Sequence, residues 1–487
     1  MLKEIKNKYF AMPIQVRASF WFLVCTFMQK AINVITTPIF TRLMSPSEFG
    51  EYSIYSSWYS IFAVFITLNL SAGVFMRGLL KYKGKEKEFV SSMQFLTFVL
   101  VIFWISLYLL FSKEINYLTK LNTQRTILMI LTIWLSTIYG FWAAKQRFDF
   151  QYRKIVPITI GVLILGQLLG MALMNILSDK VNARIIGTFI MDFIFFFGLF
   201  VSDIYKGKRL IDFNIWKYAL MFNIPLIPHY LSQVILNSSD RIMIERLVNT
   251  SSAGIYGLAY SISQVMTMFN TALAQTEEPW LYKKIENKKI DSIKPIAIIS
   301  FIFIAIVNLL LILLAPEIIS VFAPKAYYEA RWIIPPTAMS VYFSFSYYFF
   351  AVFEYYYEKT NTIALASGIG AVLNIVLNYI FIPIYGYFAA GYTTLVCFII
   401  YSAMHYLFMH KICKDKLNGE KPISIKIFSL ISIGFLLIGS LIQLLYNFNP
   451  FIRYICLIII LIMCLINRKL IYESLLKIKN MKKVNES

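Results

Sequence analysis

Residues 296–315 read IAIISFIFIAIVNLLLILLA, twenty consecutive positions without a charge, with Ser300 and Asn308 the only polar side chains. At about 1.5 Å of rise per residue, a helix of this length covers about 30 Å, the thickness of a bilayer's hydrocarbon core. The ten-residue alternation of a membrane-crossing strand is absent. The stretch reads as a transmembrane helix, and the fold follows from how often such a run recurs.

Comparable runs fall at approximately 18–43, 50–76, 89–111, 124–144, 156–177, 184–205, 219–247, 252–276, 293–315, 332–353, 361–383, 387–410, 426–446 and 450–467. The connections are short throughout, so no soluble domain is inserted. The expected fold is an all-α polytopic membrane protein with about fourteen transmembrane helices. Composition agrees, with 59% of the 487 residues hydrophobic and only 15% charged and a mean hydropathy of +0.67. Forty-two Phe suit lipid-facing positions, and 32 Tyr suit an interfacial belt.

A net charge of +21 raises the prospect of nucleic-acid binding. The placement of Lys and Arg excludes it, because they lie in short loops between apolar runs rather than along one surface. With the N-terminus inside, inner segments hold 34 Lys and Arg and outer loops 11, while Lys30 lies within a span. A threefold excess alternating in register with the spans places both termini in the cytoplasm. The first run starts near Ala18 and is interrupted by Lys30. No small-residue cleavage site follows it, so the chain is expected to insert through its own first span. Cys25, Cys397, Cys413, Cys456 and Cys464 are scattered without a CxxC pair, which indicates neither a metal site nor a disulfide framework.

A shift of 204 residues lays segment 29–57 on 233–261 without gaps. The matches are Gln29/Gln233, Asn33/Asn237, Arg42/Arg246, Leu43/Leu247, Ser47/Ser251, Gly50/Gly254, Tyr52/Tyr256 and Ser57/Ser261. Span one then corresponds to span seven. An even number of spans separates the copies, so the repeat is parallel, with two pseudo-symmetric six-helix lobes related about the membrane normal. The expected division is 1–207, 208–418, and a two-helix appendix with a cytoplasmic tail at 419–487.

Three stretches carry a family resemblance: TRLMSPSEFGEY (41–52), SDRIMIERL (239–247) with AGIYGLAY (253–260), and NIVLN (374–378) with IPIYG (382–386) and AAGYTT (389–394). Their order and spacing resemble the polysaccharide-transporter family within the multidrug/oligosaccharidyl-lipid/polysaccharide superfamily. That family more often has Gly-Ala-Ala at Ala389-Ala390-Gly391. The resemblance implies two six-helix lobes around a central cavity and alternating access. It also implies flipping of an undecaprenyl-pyrophosphate-linked oligosaccharide from the inner to the outer leaflet of a bacterial cytoplasmic membrane for surface polysaccharide biosynthesis. Partners would be membrane lipids and a polysaccharide polymerase with its export machinery; no cofactor is implied beyond H⁺ or Na⁺ coupling.

Such a substrate brings a diphosphate and sugars across hydrocarbon, which calls for cations and for Asn, Gln, Ser or Tyr. Lys30 is 13 residues after Arg17 and 12 before Arg42, about 18–20 Å from either end and too far to snorkel. Exposed to lipid, its ammonium costs at least about 2.5–3.5 kcal/mol, so it is expected to face the protein interior, beside Gln29 and one turn from Asn33. It meets either the pyrophosphate or a carboxylate of a neighbouring helix. Asp192, in span six, either pairs with Lys30 or takes a coupling proton or Na⁺. Asp240 and Arg241 form a gate, a phosphate contact or a structural cap. His229, between Pro225 and Pro228, is a pH-coupling candidate on a kinked helix. Arg77, Glu277 and Glu278, at the inner ends of spans two and eight, are candidates for a cytoplasmic gate or for solvated interfacial charges. Eleven aromatics within Tyr342–Tyr357 fit an interfacial belt better than a sugar-stacking surface. Glu354 and Glu358 leave the following loop poor in positive charge.

A multidrug or cation antiporter of the same superfamily is the nearest alternative, since Asp192 is a carboxylate of the kind cationic drugs need. A membrane enzyme of polysaccharide biosynthesis is disfavoured, because no Asp/His cluster or metal-ligand pattern is present.

Overall fold

The computed structural model describes residues 12–466; the expected cytoplasmic ends, 1–11 and 467–487, lie outside them. The described residues form helices joined by turns, without a strand. In chain order these are α1 (Ile14–Leu43), α2 (Pro46–Thr67), α3 (Val74–Lys81), α4 (Glu86–Leu110), α5 (Ser112–Thr119), α6 (Thr123–Phe148), α7 (Tyr152–Leu173), α8 (Lys180–Asp192), α9 (Gly198–Gly207) and α10 (Phe213–Asn223). They continue with α11 (Ile227–Leu247), α12 (Thr250–Ser263), α13 (Thr267–Glu286), α14 (Lys294–Phe322), α15 (Ile334–Tyr356), α16 (Thr360–Tyr385), α17 (Phe388–Lys416), α18 (Ile425–Leu444) and α19 (Pro450–Ile466). The chain divides into two compact units, Met1–Ser238 and Ser239–Ser487.

Ten helical stretches among the described residues are long and apolar enough to cross a membrane, against about fourteen expected. Runs 50–76, 252–276 and 332–353 are helical but rich in Ser, Thr and Tyr, and run 450–467 reaches past the described residues. The run 50–76 is also not one helix. It stops at Thr67, where Leu68 and Asn69 take left-handed φ values of 49° and 52°. Asn223 Nδ2 closes that break by donating to both of their carbonyls, at 2.8 and 2.9 Å.

The stretch 41–52 has a local reason for its shape. Ser45 caps α2: its Oγ accepts from Glu48 N at 3.3 Å, while the Glu48 carboxylate accepts from Ser45 N at 2.7 Å, with Pro46 at the first helical position. This reciprocal box satisfies two donors that the helix start leaves open. A shift of 204 places Ser45 on Asn249, which caps α12 by accepting from Ser252 N at 2.7 Å. The same shift carries the end of α1, Leu43, onto the end of α11, Leu247, and the start of α2, Pro46, onto the start of α12, Thr250. The repeat read from eight identities therefore recurs in helix boundaries and in caps.

In the first unit α7 and α8 run in close contact. A Cβ on Gly187 would lie 2.4 Å from Gly170 N and 2.5 Å from its Cα, so small residues set the helix spacing. Arg125 of α6 ties this unit together by donating to Glu51 of α2 (2.7 Å), to Asp179 at the start of α8 (2.9 Å) and to Asn182 (2.8 Å). Arg184 lies between the Phe40 and Tyr52 rings, 3.7 Å from each centroid, a stacked arrangement that suits a planar guanidinium.

In the second unit the corresponding tie is Asp240. It is 1% exposed and accepts from Tyr256 Oη (2.6 Å), Asn378 Nδ2 (2.6 Å) and Thr394 Oγ1 (2.8 Å), joining α11, α12, α16 and α17. Ser239 Oγ donates to Asn374 Oδ1 at 2.8 Å, and Thr393 donates to Asn378. The second and third quoted stretches, 239–260 and 374–394, meet here in one hydrogen-bonded knot. The aromatic run of α15 is core rather than belt. Tyr342, Phe345, Phe349 and Phe350 surround Phe301 of α14 at centroid distances of 6.2, 5.6, 5.3 and 5.9 Å.

Two stability predictions follow from these contacts. Gly187→Ala is expected to cost roughly 1–3 kcal/mol by forcing α7 and α8 apart. Gly161→Ala, where a Cβ meets nothing within 4 Å, is expected to leave the thermal midpoint of the detergent-solubilised protein unchanged. Asp240→Ala strips three buried donors of their acceptor and should cost about 3 kcal/mol or more, read as a lower thermal midpoint in the same assay.

Candidate functional site

The segment Gln29-Lys30-Ala31-Ile32-Asn33 lies on α1, which packs against α7. Trp21 stacks parallel to Tyr152 at 6.4 Å between centroids and helps fix that contact. Gln29 thereby reaches the wall of a cavity of about 160 Å³ formed by α1, α6, α7 and α8. Tyr139, Thr159, Gln167, Thr188 and Asp192 supply the rest of its polar lining. Tyr139 and Thr159 bond through their hydroxyls, and Gln167 Oε1 is buried without a hydrogen-bond partner among the described residues. Asp192 is 9% exposed.

Asp192 ends α8, and the backbone widens immediately after it into a π-turn over Phe193–Phe197. An extra residue per turn re-aims side chains, and such turns are frequent at functional sites. Nothing in the pattern of apolar residues signalled it. The cavity is smaller than the about 300–1,000 Å³ of ordinary ligand pockets, and at about 30 Å³ per water it holds a few waters. Its scale and its one carboxylate suit a proton or a small cation. Gln29 and Asp192 are thus brought together; Lys30 is half-buried on the same helix, and Asn33 is exposed.

Arg241, next to the Asp240 knot, lies 4.7 Å above the Tyr260 ring. Asp240 itself is engaged by three neutral donors, as a structural anchor would be. Among the described residues no group of three His, Cys, Asp or Glu side chains could hold a metal ion.

The expected kink at Pro225 and Pro228 takes the form of a 3₁₀ turn, Ile224–Leu226, between α10 and α11. His229 follows in the first turn of α11, half-buried, its ring 5.9 Å from that of Tyr230. Arg77 is exposed on α3, 5.0 Å above the Phe222 ring within the first unit. Glu277 is 2% exposed and accepts from Ser300, and Glu278 accepts from Tyr348, both within the second unit.

One buried ionisable pair escaped the sequence reading. Glu354 and His405 are both fully buried and bonded through Nδ1, with Thr362 Oγ1 on the other carboxylate oxygen. A signal was present: a carboxylate at the end of an apolar helix needs a partner, and His405 is a histidine inside the apolar run 387–410.

The polysaccharide biosynthesis protein family matches residues 16–284, more than half of the chain. A Lsg locus protein of Haemophilus influenzae is 21% identical over 72% of this chain and 87% of its own length. Among solved structures, the lipid II flippase MurJ in an inward closed conformation superposes with a TM-score of 0.66 at 17% identity, covering 93% of this chain and 99% of that one. An inward-facing multidrug resistance MATE family transporter of the MOP superfamily superposes with a TM-score of 0.55 at 13% identity, covering 79% of this chain and 95% of that one. The fold is thus shared with that flippase and that transporter. The chain belongs to the polysaccharide biosynthesis protein family.

Proposed function

We propose that this protein flips an undecaprenyl-pyrophosphate-linked oligosaccharide repeat unit from the inner to the outer leaflet of the cytoplasmic membrane, by alternating access, for cell-surface polysaccharide. The observation that carries this reading is family membership combined with a half-buried Lys30 in the middle of α1. A lysine in the middle of a span suits contact with the phosphate oxygens of a passing substrate. Lys30, Gln29, Asn33 and Arg241 then serve the substrate: the cations meet phosphate oxygens and the amides meet sugar hydroxyls. Residues 1–207 and 208–418 act as the two moving lobes, with 419–487 as an appendix and both termini cytoplasmic. A polysaccharide polymerase and export machinery would take the product onward.

In this reading the Gln29–Asp192 cavity is where a coupling proton or Na⁺ enters the cycle, and His229 and Asp240 are further coupling candidates. Arg77, Glu277 and Glu278 serve the cytoplasmic gate. A multidrug or cation antiporter is the second reading, favoured by the buried Asp192 and by the fold shared with a MATE family transporter.

Complementation of a flippase-deficient strain tests the proposal. Lys30→Ala and Arg241→Ala are expected to insert normally and to lose surface polysaccharide, while Lys30→Arg retains at least part of it. Full surface display with both alanines would defeat the assignment. In proteoliposomes, movement of fluorescent cations without movement of lipid-linked sugar would decide for the antiporter. Asp192→Asn is expected to abolish acceleration by an imposed H⁺ or Na⁺ gradient while leaving slow, gradient-independent flipping measurable.

A further inference from the structure

The second unit contains another cavity, of about 360 Å³, between α13 and α15. On α13 its wall is Thr267, Asn270, Thr271 and Gln275, spaced as one face of a helix. On α15 it is Ser344, Tyr347 and Tyr348, again at helical spacing. Burial marks the same face: from Tyr342 to Phe353, positions 344, 347 and 348 are half-buried and the others buried. These polar faces also explain why runs 252–276 and 332–353 fall short of the apolarity of a lipid-facing span.

The lining carries no formal charge. A phosphate would need cations there, and an acyl chain would leave amides and hydroxyls without partners. A neutral polyhydroxylated ligand satisfies both kinds of wall, exchanging hydrogen bonds with Asn, Gln, Thr and Ser while its C–H faces lie on tyrosine rings. Asn270 is already half-committed. Its Nδ2 donates to Val341 O at 3.0 Å, while its Oδ1 is buried without a partner among the described residues and is open to a hydroxyl donor.

Both rings are held in place. Tyr347 packs against Tyr401 at 4.4 Å and His405 at 5.5 Å between centroids, and His405 is fixed by Glu354. Tyr348 donates to Glu278. Rings fixed before the ligand arrives lose little freedom on binding it. The volume lies in the range of about 300–1,000 Å³ typical of small-molecule pockets, unlike the ion-sized cavity beside Asp192. From this geometry we infer that the cavity between α13 and α15 is a saccharide subsite that takes a mono- or disaccharide portion of the lipid-linked substrate. The inference rests on the flippase reading above, which does not itself assign where sugar binds.

The test measures binding by full-length, detergent-purified protein to two probes, undecaprenyl pyrophosphate and undecaprenyl-pyrophosphate-linked N-acetylglucosamine. The native protein is expected to bind the glycosylated lipid at least tenfold more tightly than the bare one. Asn270→Leu/Gln275→Leu and Tyr347→Leu should each erase that ratio while changing affinity for the bare lipid less than twofold. Tyr347→Phe, which keeps the ring, should preserve the ratio. Unchanged bare-lipid affinity shows that the variants are folded, and the two sites of substitution test the cavity independently. A ratio near one in the native protein, or an intact ratio in both leucine variants, overturns the subsite and leaves the flippase reading standing. Failure of the native protein to bind either lipid overturns the flippase reading and the subsite with it.

Discussion

A carboxylate taken out of water among hydrocarbon-facing helices must find donors inside the protein, because lipid offers none. Asp240 meets this demand with three donors from three other helices. Once that set is complete, α11, α12, α16 and α17 are held in one register, since sliding any of them strands a buried polar group. Arg125 does the same for the first unit through Glu51, Asp179 and Asn182. Apolar packing between helices in lipid gives little preference for one register over another. These knots supply the specificity.

The same constraint sorts the polar side chains of the membrane region by use. Those in the knots are engaged by other protein groups. Those around the two cavities are not saturated: Gln167 Oε1 and Asn270 Oδ1 are buried acceptors without a donor among the described residues. The two cavities differ in size and charge. The smaller, of about 160 Å³, has Asp192 beside a π-turn, and the larger, of about 360 Å³, is neutral and lined by two tyrosine rings.

Duplication is visible at two levels. Eight identities at an offset of 204 are a thin trace in sequence. The helix ends Leu43 and Leu247, and the caps Ser45 and Asn249, repeat at the same offset. Caps persist because a helix start leaves donors open whatever else the helix does. The contacts around them differ. The first copy of the motif sandwiches Arg184 between Phe40 and Tyr52, whereas the second builds a carboxylate knot on Asp240.

The chain by itself determined that this is an all-helical membrane protein, where most of its long apolar helices run, and that Lys30 and Asp192 are costly within them. Hydrophobic run length and charge cost are local properties, readable residue by residue. The start of α2 at Pro46, four residues before the apolar run 50–76, carries a capping signature in Ser45-Pro46-Ser47-Glu48. Only the tertiary structure decided what each polar residue meets. Asp240 with Asn378, Glu354 with His405, and Gln29 with Asp192 are separated by 138, 51 and 163 positions, and no periodicity within a helix encodes a partner on another. The aromatic run of α15 shows the same limit: its composition suits a membrane interface, but its neighbours on α14, α17 and α18 made it a core with one polar face left open to a cavity.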